Sequence, residues 1–261
     1  MKKNFLNFGL FLALGLTTAV FNSCEKDDVN DGGTNGGNGG NASKITATNV
    51  NNSSTQIKTV KALVYWGSGD EYDNDAIAQG PYQNNGFTLE LPATLGAKYL
   101  ETLDADDLEG ITVSDRNFKS VSLDDLRGYN ENDEEIGVFL KEVENDDSEH
   151  YALWLYVDRD VTIKGEETNY IDNGFEEEYE EEEIYDLTLK KGWNIVYGSV
   201  TGRYENGRDV HSLTMSSKKP SGVNYTWNFY DDYEISSPSV ALKSAKNSKS
   251  FSSKLKGNKN K

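Results

Sequence analysis

Two aromatic side chains and two carboxylates fall on one face of a predicted strand near the middle of the chain. In the stretch 151–164, period-two alternation places Trp154 and Tyr156 on the same side as Asp158 and Asp160. Aromatic rings stack on the apolar faces of sugars, and carboxylates accept hydrogen bonds from hydroxyls. These four residues are therefore the candidate ligand face. The alternative is that both aromatics are buried under a loop or helix while the aspartates reach solvent.

Two acidic stretches could hold a hard cation. The stretch Glu176–Glu183 contains seven glutamates around one tyrosine, and Asp70–Asp75 mixes aspartates with an asparagine. Oxygen-only ligands suit calcium, so loose calcium binding is one interpretation of both stretches. The simpler interpretation is that the glutamates form a solvated loop before a strand that begins near Ile184. No firm cofactor is predicted.

Nucleophilic and zinc chemistry are poorly supported by the residue inventory. The chain has two histidines, His150 and His211, and one cysteine, Cys24. With the single cysteine set aside for the role described below, no Cys/His zinc site and no Cys–His pair can be assembled, and no Gly-x-Ser-x-Gly elbow is present. His211 is expected to be a packed strand residue. Paired carboxylates, as in glycosidases, stay open, but a pair means little among 44 acidic residues.

The elements that would position these residues are predicted to be strands. Alternating stretches at 56–66, 87–91 and 223–229 each place apolar side chains on one face. The fold class is therefore all-β, an antiparallel sandwich or barrel of about ten short strands. One or two short helices are expected, at Leu95–Leu103 and after Ser122, where Asp125 completes a capping box.

Two hairpins follow from turn chemistry. The pair Asn206-Gly207 favours a two-residue turn that aligns Glu205 with Arg208 and Gly202 with His211. The second hairpin is predicted to join 185–189 to 193–197 through a bulged turn that contains Gly192.

The beginning of the chain has the order of a secretory signal. Lys2 and Lys3 precede an apolar run from Phe5 to Phe21, and small or polar residues lead to Cys24. This arrangement resembles the lipobox of a bacterial lipoprotein, although Phe21 stands where Leu or Val is usual. The resemblance implies that the thiol of Cys24 is acylated, for example with palmitate, and that the chain is cut just before it.

Two further resemblances suggest a location. Residues 25–28, with sequence EKDD, are similar to the export signal of Bacteroidota lipoproteins, and residues 187–194 look like a run in β-sandwich lipoproteins of that group whose function is unknown. The resemblance implies a protein anchored in the outer membrane by lipid on Cys24 and facing the cell exterior.

Composition divides the chain into four parts. We predict a signal peptide at 1–23, a flexible lipid-anchored linker at 24–44, one all-β domain at 45–235 and a disordered Lys-rich tail at 236–261. The net charge of -18 repels phosphate backbones, which makes nucleic acid a poor partner.

These observations favour a non-catalytic binding or accessory module for polysaccharide or another surface partner. Two alternatives stay open, namely a structural or assembly subunit of a cell-surface complex and a glycan-cleaving enzyme. An assembly subunit would need a large apolar patch, whereas an enzyme would need two carboxylates in a cleft.

Overall fold

The computed structural model describes residues 42–68, 71–102, 110–123, 125–145, 148–171, 179–206 and 208–231. All of them belong to one unit, Asp31–Lys261. The predicted signal peptide, Cys24, most of the linker and the Lys-rich tail lie outside the described residues. Ala42 already donates its backbone N–H to Trp193 O at 2.7 Å, so the folded part begins at least three residues before the predicted boundary.

The described residues form fifteen strands, more than the ten expected from the sequence. Their bounds are β1 Lys44–Ala47, β2 Thr59–Ser68, β3 Glu71–Pro81, β4 Phe87–Glu90, β5 Glu101–Thr102, β6 Ile111–Val113, β7 Lys119–Ser122, β8 Asp125–Tyr129, β9 Glu135–Asn145, β10 Ser148–Val157, β11 Val161–Ile171, β12 Tyr179–Leu189, β13 Gly192–Glu205, β14 Arg208–Ser216 and β15 Thr226–Asp231.

The sheets confirm the all-β prediction and favour the sandwich over the barrel. β1 pairs with β4, and the other thirteen strands form one sheet whose main path runs β3-β2-β8-β9-β10-β13-β14-β12-β11-β6 without closing. Every pairing between named strands is antiparallel except that of β12 with β14. Pairing between distant strands lets the sheet bend over its own apolar side chains.

Strand β10 is covered on both faces. Leu155 and Val157 belong to one hydrophobic cluster, while Trp154 and Tyr156 belong to another. Successive side chains of a strand point to opposite faces, so β10 separates the two clusters. Each large apolar side chain buried in this way contributes about 1.5–3 kcal/mol to the free energy of unfolding.

The stretch predicted as one strand at 151–164 is two strands. β10 ends at Val157 and β11 begins at Val161, and these strands pair with different neighbours. Both valines nevertheless lie in the same cluster. The chain therefore turns over the core between them instead of running straight, a change of direction that the unbroken alternation conceals.

The hairpin around Asn206 is confirmed, because Glu205 pairs with Arg208 and Gly202 with His211. The second predicted hairpin is wrong. β14 lies between β12 and β13 and pairs with both. The turn before Trp193 is an arch that carries the chain from one cluster to the other, since Leu189 and Trp193 belong to different clusters.

The buried side chain of Asn194 holds this arch. Its Nδ2 donates to Lys190 O at 2.7 Å and to Gly192 O at 2.9 Å, and its Oδ1 accepts from Lys190 N at 2.9 Å. The side chain thus satisfies backbone groups that a two-strand ladder would otherwise pair.

The two predicted helices are also corrected. One 3₁₀ turn, Ala97–Tyr99, stands where the first was expected, and Glu101–Thr102 is already a strand. Ser122 lies in β7, paired with Leu155, so the predicted capping box is absent. Pairing with β10 overrides the local helix signal there. Within the described ranges, no helix has the length and apolar character needed to cross a membrane.

Candidate functional site

The two aromatics of the predicted ligand face are core residues. Trp154 is 4% exposed and Tyr156 is 3% exposed. The ring of Trp154 stacks on Trp227 with centroids 5.8 Å apart, and Tyr156 meets Trp193 nearly at right angles at 5.4 Å. Neither ring can receive a sugar. The prediction of a ligand face is therefore wrong for these two residues, and the buried alternative describes them.

The two aspartates of that face stabilise turns. Asp158 accepts the backbone N–H of Lys119 at 2.8 Å and pairs with Arg159. Asp160 pairs with Lys190 at 2.8 Å and accepts the N–H of Lys191 at 2.9 Å. The hydrogen bond from Lys190 lowers the pKa of Asp160. The four residues are thus not brought together as one site.

The glutamate run is not simply a loop. Residues 172–178 lie outside the described part, but Tyr179–Leu189 is a strand that includes the rest of the run. Glu180 and Glu182 pair with arginines, and Glu183 is buried beside the hydroxyl of Tyr185.

The other acidic stretch is partly structural as well. Asp75 lies in β3, where it accepts hydrogen bonds from Lys98 at 2.6 Å and from the Tyr99 hydroxyl at 2.9 Å. The calcium prediction for Asp70 and for Glu176–Glu178 falls on residues outside the described part. Across the described residues, no group of three or more His, Cys, Asp or Glu side chains is arranged to hold a metal ion.

Four strands extend past the clusters as a distal arm, formed by residues 166–171, 179–183, 201–205 and 208–212. In register, Tyr204 pairs with Asp209 and Asp209 with Tyr179. The next row consists of Gly202, His211 and Glu181. Cross-strand partners share a face, so these six side-chain positions lie together on one side of the arm.

Tyr204, Tyr179, His211 and Gly202 make up what we call the aromatic patch. Tyr204 is 60% exposed and is the most open large hydrophobic side chain of the described residues. The rings of Tyr179 and His211 lie 5.1 Å apart at 80°. A Cβ added to Gly202 would meet nothing within 4 Å, so the surface between these rings is open. His211 is exposed, which corrects its prediction as a packed residue.

Ion pairs offset part of the negative charge on the opposite face of the arm. Arg203 contacts Glu182 at 2.6 Å and Glu205 at 2.9 Å, and Arg208 contacts Glu180 at 3.2 Å. The hydrogen bond from Arg203 lowers the pKa of Glu182. These contacts keep both arginines of the arm away from the aromatic patch.

A glutamate with a raised pKa, Glu149, lies on the same side of the sheet as the aromatic patch, on β10 and nearer the core. Burial, followed by the charges of Glu144 and Glu142, raises the pKa of Glu149 to about 7. Glu149 and Glu144 are direct cross-strand partners, which places the two carboxyl groups side by side. His150 lies on the other face of β10, where its Nε2 is 3.1 Å from the Ser148 hydroxyl.

The aromatic patch could have been found only in part from the sequence. The turn at Asn206 already places Gly202 beside His211 and Tyr204 beside Asp209. The third strand of the patch could not be anticipated, because the parallel pairing of Tyr179 with Asp209 joins residues that no local turn connects. Comparison with known proteins adds no further guide: no family model, no curated protein and no solved structure matches this chain.

Proposed function

We propose that the protein is a non-catalytic module that binds neutral polysaccharide through the aromatic patch. The observation that carries this proposal is the openness of Tyr204, beside a glycine that leaves the neighbouring surface free. A tyrosine combines an apolar ring with a polar end, which suits a ligand that alternates C–H faces and hydroxyl groups. The proposal keeps the ligand class expected from the sequence and moves the site from β10 to the distal arm.

The geometry gives each group of the patch a role. Tyr204 and Tyr179 lie two strand spacings apart, about 10 Å, on either side of Asp209. A sugar ring on Tyr204 would extend over Gly202, where no side chain intervenes. The carboxylates of Asp209 and Glu181 would accept hydroxyl hydrogens, and charged acceptors form the stronger hydrogen bonds.

The same proposal includes attachment to the outer membrane through lipid on Cys24, with the domain facing the cell exterior. Seventeen residues separate Cys24 from Ala42. A chain of Gly-rich composition and this length has a root-mean-square reach of about 23 Å, enough to hold the domain clear of a bilayer surface. Incorporation of a labelled fatty acid that Cys24→Ser abolishes, and digestion of the domain by protease added to intact cells, would support this part. Labelling that persists in Cys24→Ser would contradict it.

The binding test uses thermal unfolding of the full chain in mild non-ionic detergent with a panel of neutral soluble glycans. A glycan that binds the folded state raises its stability by about 2.7 kcal/mol at a hundredfold excess over the dissociation constant. We expect one glycan class to raise the transition temperature, and Tyr204→Ala to abolish the rise.

Two further variants make this test specific. Gly202→Thr adds a side chain in open space and should fold normally, since β-branched residues favour strands, yet it should block the ligand. Thr201→Ala changes an exposed neighbour on the opposite face and is the control that retains binding. If Gly202→Thr and Tyr204→Ala both keep the glycan shift, the patch is not the site.

Glycan cleavage is a second candidate, supported by Glu149 and Glu144. Direct cross-strand partners have Cβ atoms about 4.5–5.5 Å apart, which is compatible with the carboxyl separation of about 5–5.5 Å in retaining glycosidases. A carboxyl with a pKa of about 7 could act as the acid. Release of reducing ends from a bound glycan, abolished by Glu149→Gln, would establish cleavage and replace the non-catalytic proposal.

A further inference from the structure

Two aromatic rings and a carboxylate, from Trp66, Tyr99 and Asp75, meet at a single ammonium group and form what we call the ammonium cage. The Nζ atom of Lys98 lies 4.3 Å from the ring centroid of Trp66 and 4.7 Å from that of Tyr99. It donates a hydrogen bond to Asp75 at 2.6 Å, and the Tyr99 hydroxyl donates to the same oxygen at 2.9 Å. The hydrogen bond from Lys98, followed by that from Tyr99, lowers the pKa of Asp75, so the carboxylate keeps its charge at neutral pH. Aromatic faces and a carboxylate are the groups that recognise organic cations.

The walls of the ammonium cage are held by the sheet and its core. Trp66 lies in β2 on the same face as Val64, which is fully buried, and Asp75 is the cross-strand partner of Val64 in β3. Tyr99 packs against the hydrophobic cluster that contains Val64. Asp73 pairs with Trp66, so a second carboxylate lies on the same face of the sheet. These contacts fix the rings and the carboxylates without help from the lysine.

Lys98, in contrast, can leave the ammonium cage. It lies in the 3₁₀ turn Ala97–Tyr99, none of whose residues is fully buried, and its side chain is 49% exposed. Rotation about its side-chain bonds withdraws the ammonium group and requires no change in the backbone of the turn. A solvent-exposed ion pair of this kind contributes little to stability. A second ammonium group of the same chemistry therefore has only a weakly held resident to displace.

We propose that the ammonium cage is a binding site for a primary alkylammonium group, and that Lys98 occupies this site until such a ligand displaces it. The lysine shows which chemistry the site accepts. A primary ammonium donates a hydrogen bond to Asp75 while it rests on both rings, whereas a quaternary ammonium has no N–H to donate. The net charge of -18 draws cations towards the protein. The ammonium cage shares no residue with the aromatic patch, so this proposal does not depend on glycan binding.

The test follows the indole N–H of Trp66 by ¹H–¹⁵N NMR of the full chain in mild non-ionic detergent, titrated with n-butylammonium chloride at constant ionic strength. The chain has four tryptophans, and the indole signal that disappears in Trp66→Phe is that of Trp66. We expect this signal to shift in a saturable manner. Only molecules from which Lys98 has withdrawn can bind, so Lys98→Ala should raise the apparent affinity at least about fivefold. Equal affinity in Lys98→Ala and in the parent protein would overturn the proposal.

Further variants distinguish the ammonium cage from general attraction to an acidic protein. In the Lys98→Ala background, Asp75→Asn keeps the size of the side chain and should weaken n-butylammonium binding at least about tenfold. Tyr99→Leu keeps an apolar side chain, removes one ring, and should weaken binding about threefold. The matched control is Lys164→Ala, which removes the same charge from another exposed ion pair, that with Asp186 at 3.0 Å. This control should bind as the parent protein does, and an affinity raised as in Lys98→Ala would overturn the proposal.

Two more probes define the ligand. Tetramethylammonium carries the charge without an N–H and should bind Lys98→Ala at least about fivefold more weakly than n-butylammonium. Tighter binding of tetramethylammonium would overturn the assignment to a primary ammonium.

The blocked peptide AAKAA presents the same primary ammonium on a polypeptide. Among the described strands, β3 pairs with β2 alone, so its outer edge is available to an extended peptide beside the ammonium cage. Tighter binding of the peptide than of n-butylammonium would support the site and identify a lysine of a protein partner as its ligand. Equal binding would support the site with a free amine as its ligand. Absence of a saturable shift of the Trp66 signal in Lys98→Ala with every probe would overturn the proposal.

Discussion

Strand β10 and the distal arm present the same kinds of residue in the same alternation, yet they differ in what covers them. On β10, Trp154 and Tyr156 pack into one cluster while the alternate residues pack into another. On the arm, Tyr204 and Tyr179 share a face that no second layer of described residues covers. Alternation therefore shows which residues lie together on a face, whereas exposure depends on distant strands.

Replacement of one aromatic residue in each region should give the largest difference in the free energy of unfolding between β10 and the arm. Trp154→Ala leaves a large cavity beside Trp227 and should lower the free energy of unfolding by about 3–5 kcal/mol. Tyr204→Ala removes an exposed ring and should change it by less than about 0.5 kcal/mol. Denaturant unfolding of both variants checks this difference. Similar losses would mean that the arm is packed as tightly as the core.

The second-largest difference in stability is expected between the arch before Trp193 and the turn at Asn206. Asn194→Ala leaves the buried carbonyl of Gly192 and the part-buried backbone groups of Lys190 without their partner, and should destabilise the fold by about 2 kcal/mol. Asn206 has a positive φ of 50°, so Asn206→Gly should be nearly neutral in the exposed turn. Urea midpoints with unchanged slopes would measure both effects. An Asn194→Ala midpoint equal to that of the parent would show that the arch needs no such partner.

The raised pKa of Glu149 makes the stability of the fold depend on pH, with a smaller effect than the two comparisons above. Its pKa is raised from 4.5 to about 7 in the folded state, so the folded protein retains a proton that the unfolded chain releases. The resulting stabilisation is complete below about pH 4.5 and is lost as pH rises through about 7. Because Glu149 is only half-buried and partly screened, we expect a change of about 1 kcal/mol.

Thermal unfolding between pH 4 and pH 8 measures this effect. Glu149→Gln should flatten the dependence and should be the more stable protein at pH 8. Glu182 on the arm provides the comparison, because the hydrogen bond from Arg203 lowers its pKa. The stabilisation from Glu182 is therefore lost as pH falls, whereas that from Glu149 is lost as pH rises. A pH dependence of stability that is unchanged in Glu149→Gln would contradict the raised pKa of Glu149 in the folded protein.

The smallest effect is expected for the ion pairs of the arm. Arg203→Gln removes the contacts with Glu182 and Glu205 at the surface and should reduce stability by at most about 0.5 kcal/mol, less at high salt. Urea unfolding at low and at high salt measures this difference. A loss above 2 kcal/mol would place these charges in a buried network instead.

Local signals in the sequence predicted what local geometry controls. The Asn206 turn fixed the register from Glu205–Arg208 to Gly202–His211, and alternation assigned Leu155 and Trp154 to opposite faces. The ends of strands were missed where the chain turns over an apolar core, as at Asp158, because the apolar pattern continues on both sides of the turn. Burial of Trp154 was one of two alternatives that the sequence left open, since its stacking partner Trp227 comes from the distant strand β15.

The site was missed for a related reason. Exposure of Tyr204 and its proximity to Tyr179 depend on the parallel pairing of β12 with β14, which joins residues 30 positions apart. Turn chemistry carries no information about such a pairing, and the predicted hairpin of β12 with β13 excluded it.

The insertion of β14 between β12 and β13 has a consequence for how the chain folds. Gly192 and the alternating residues on either side encode a local hairpin that the native sheet does not contain. Local pairings form within microseconds, whereas contacts between distant segments must wait for loop closure. The nascent chain therefore carries a fast competitor to its own native order. The buried amide of Asn194, whose hydrogen bonds hold the arch, favours the native order over this competitor.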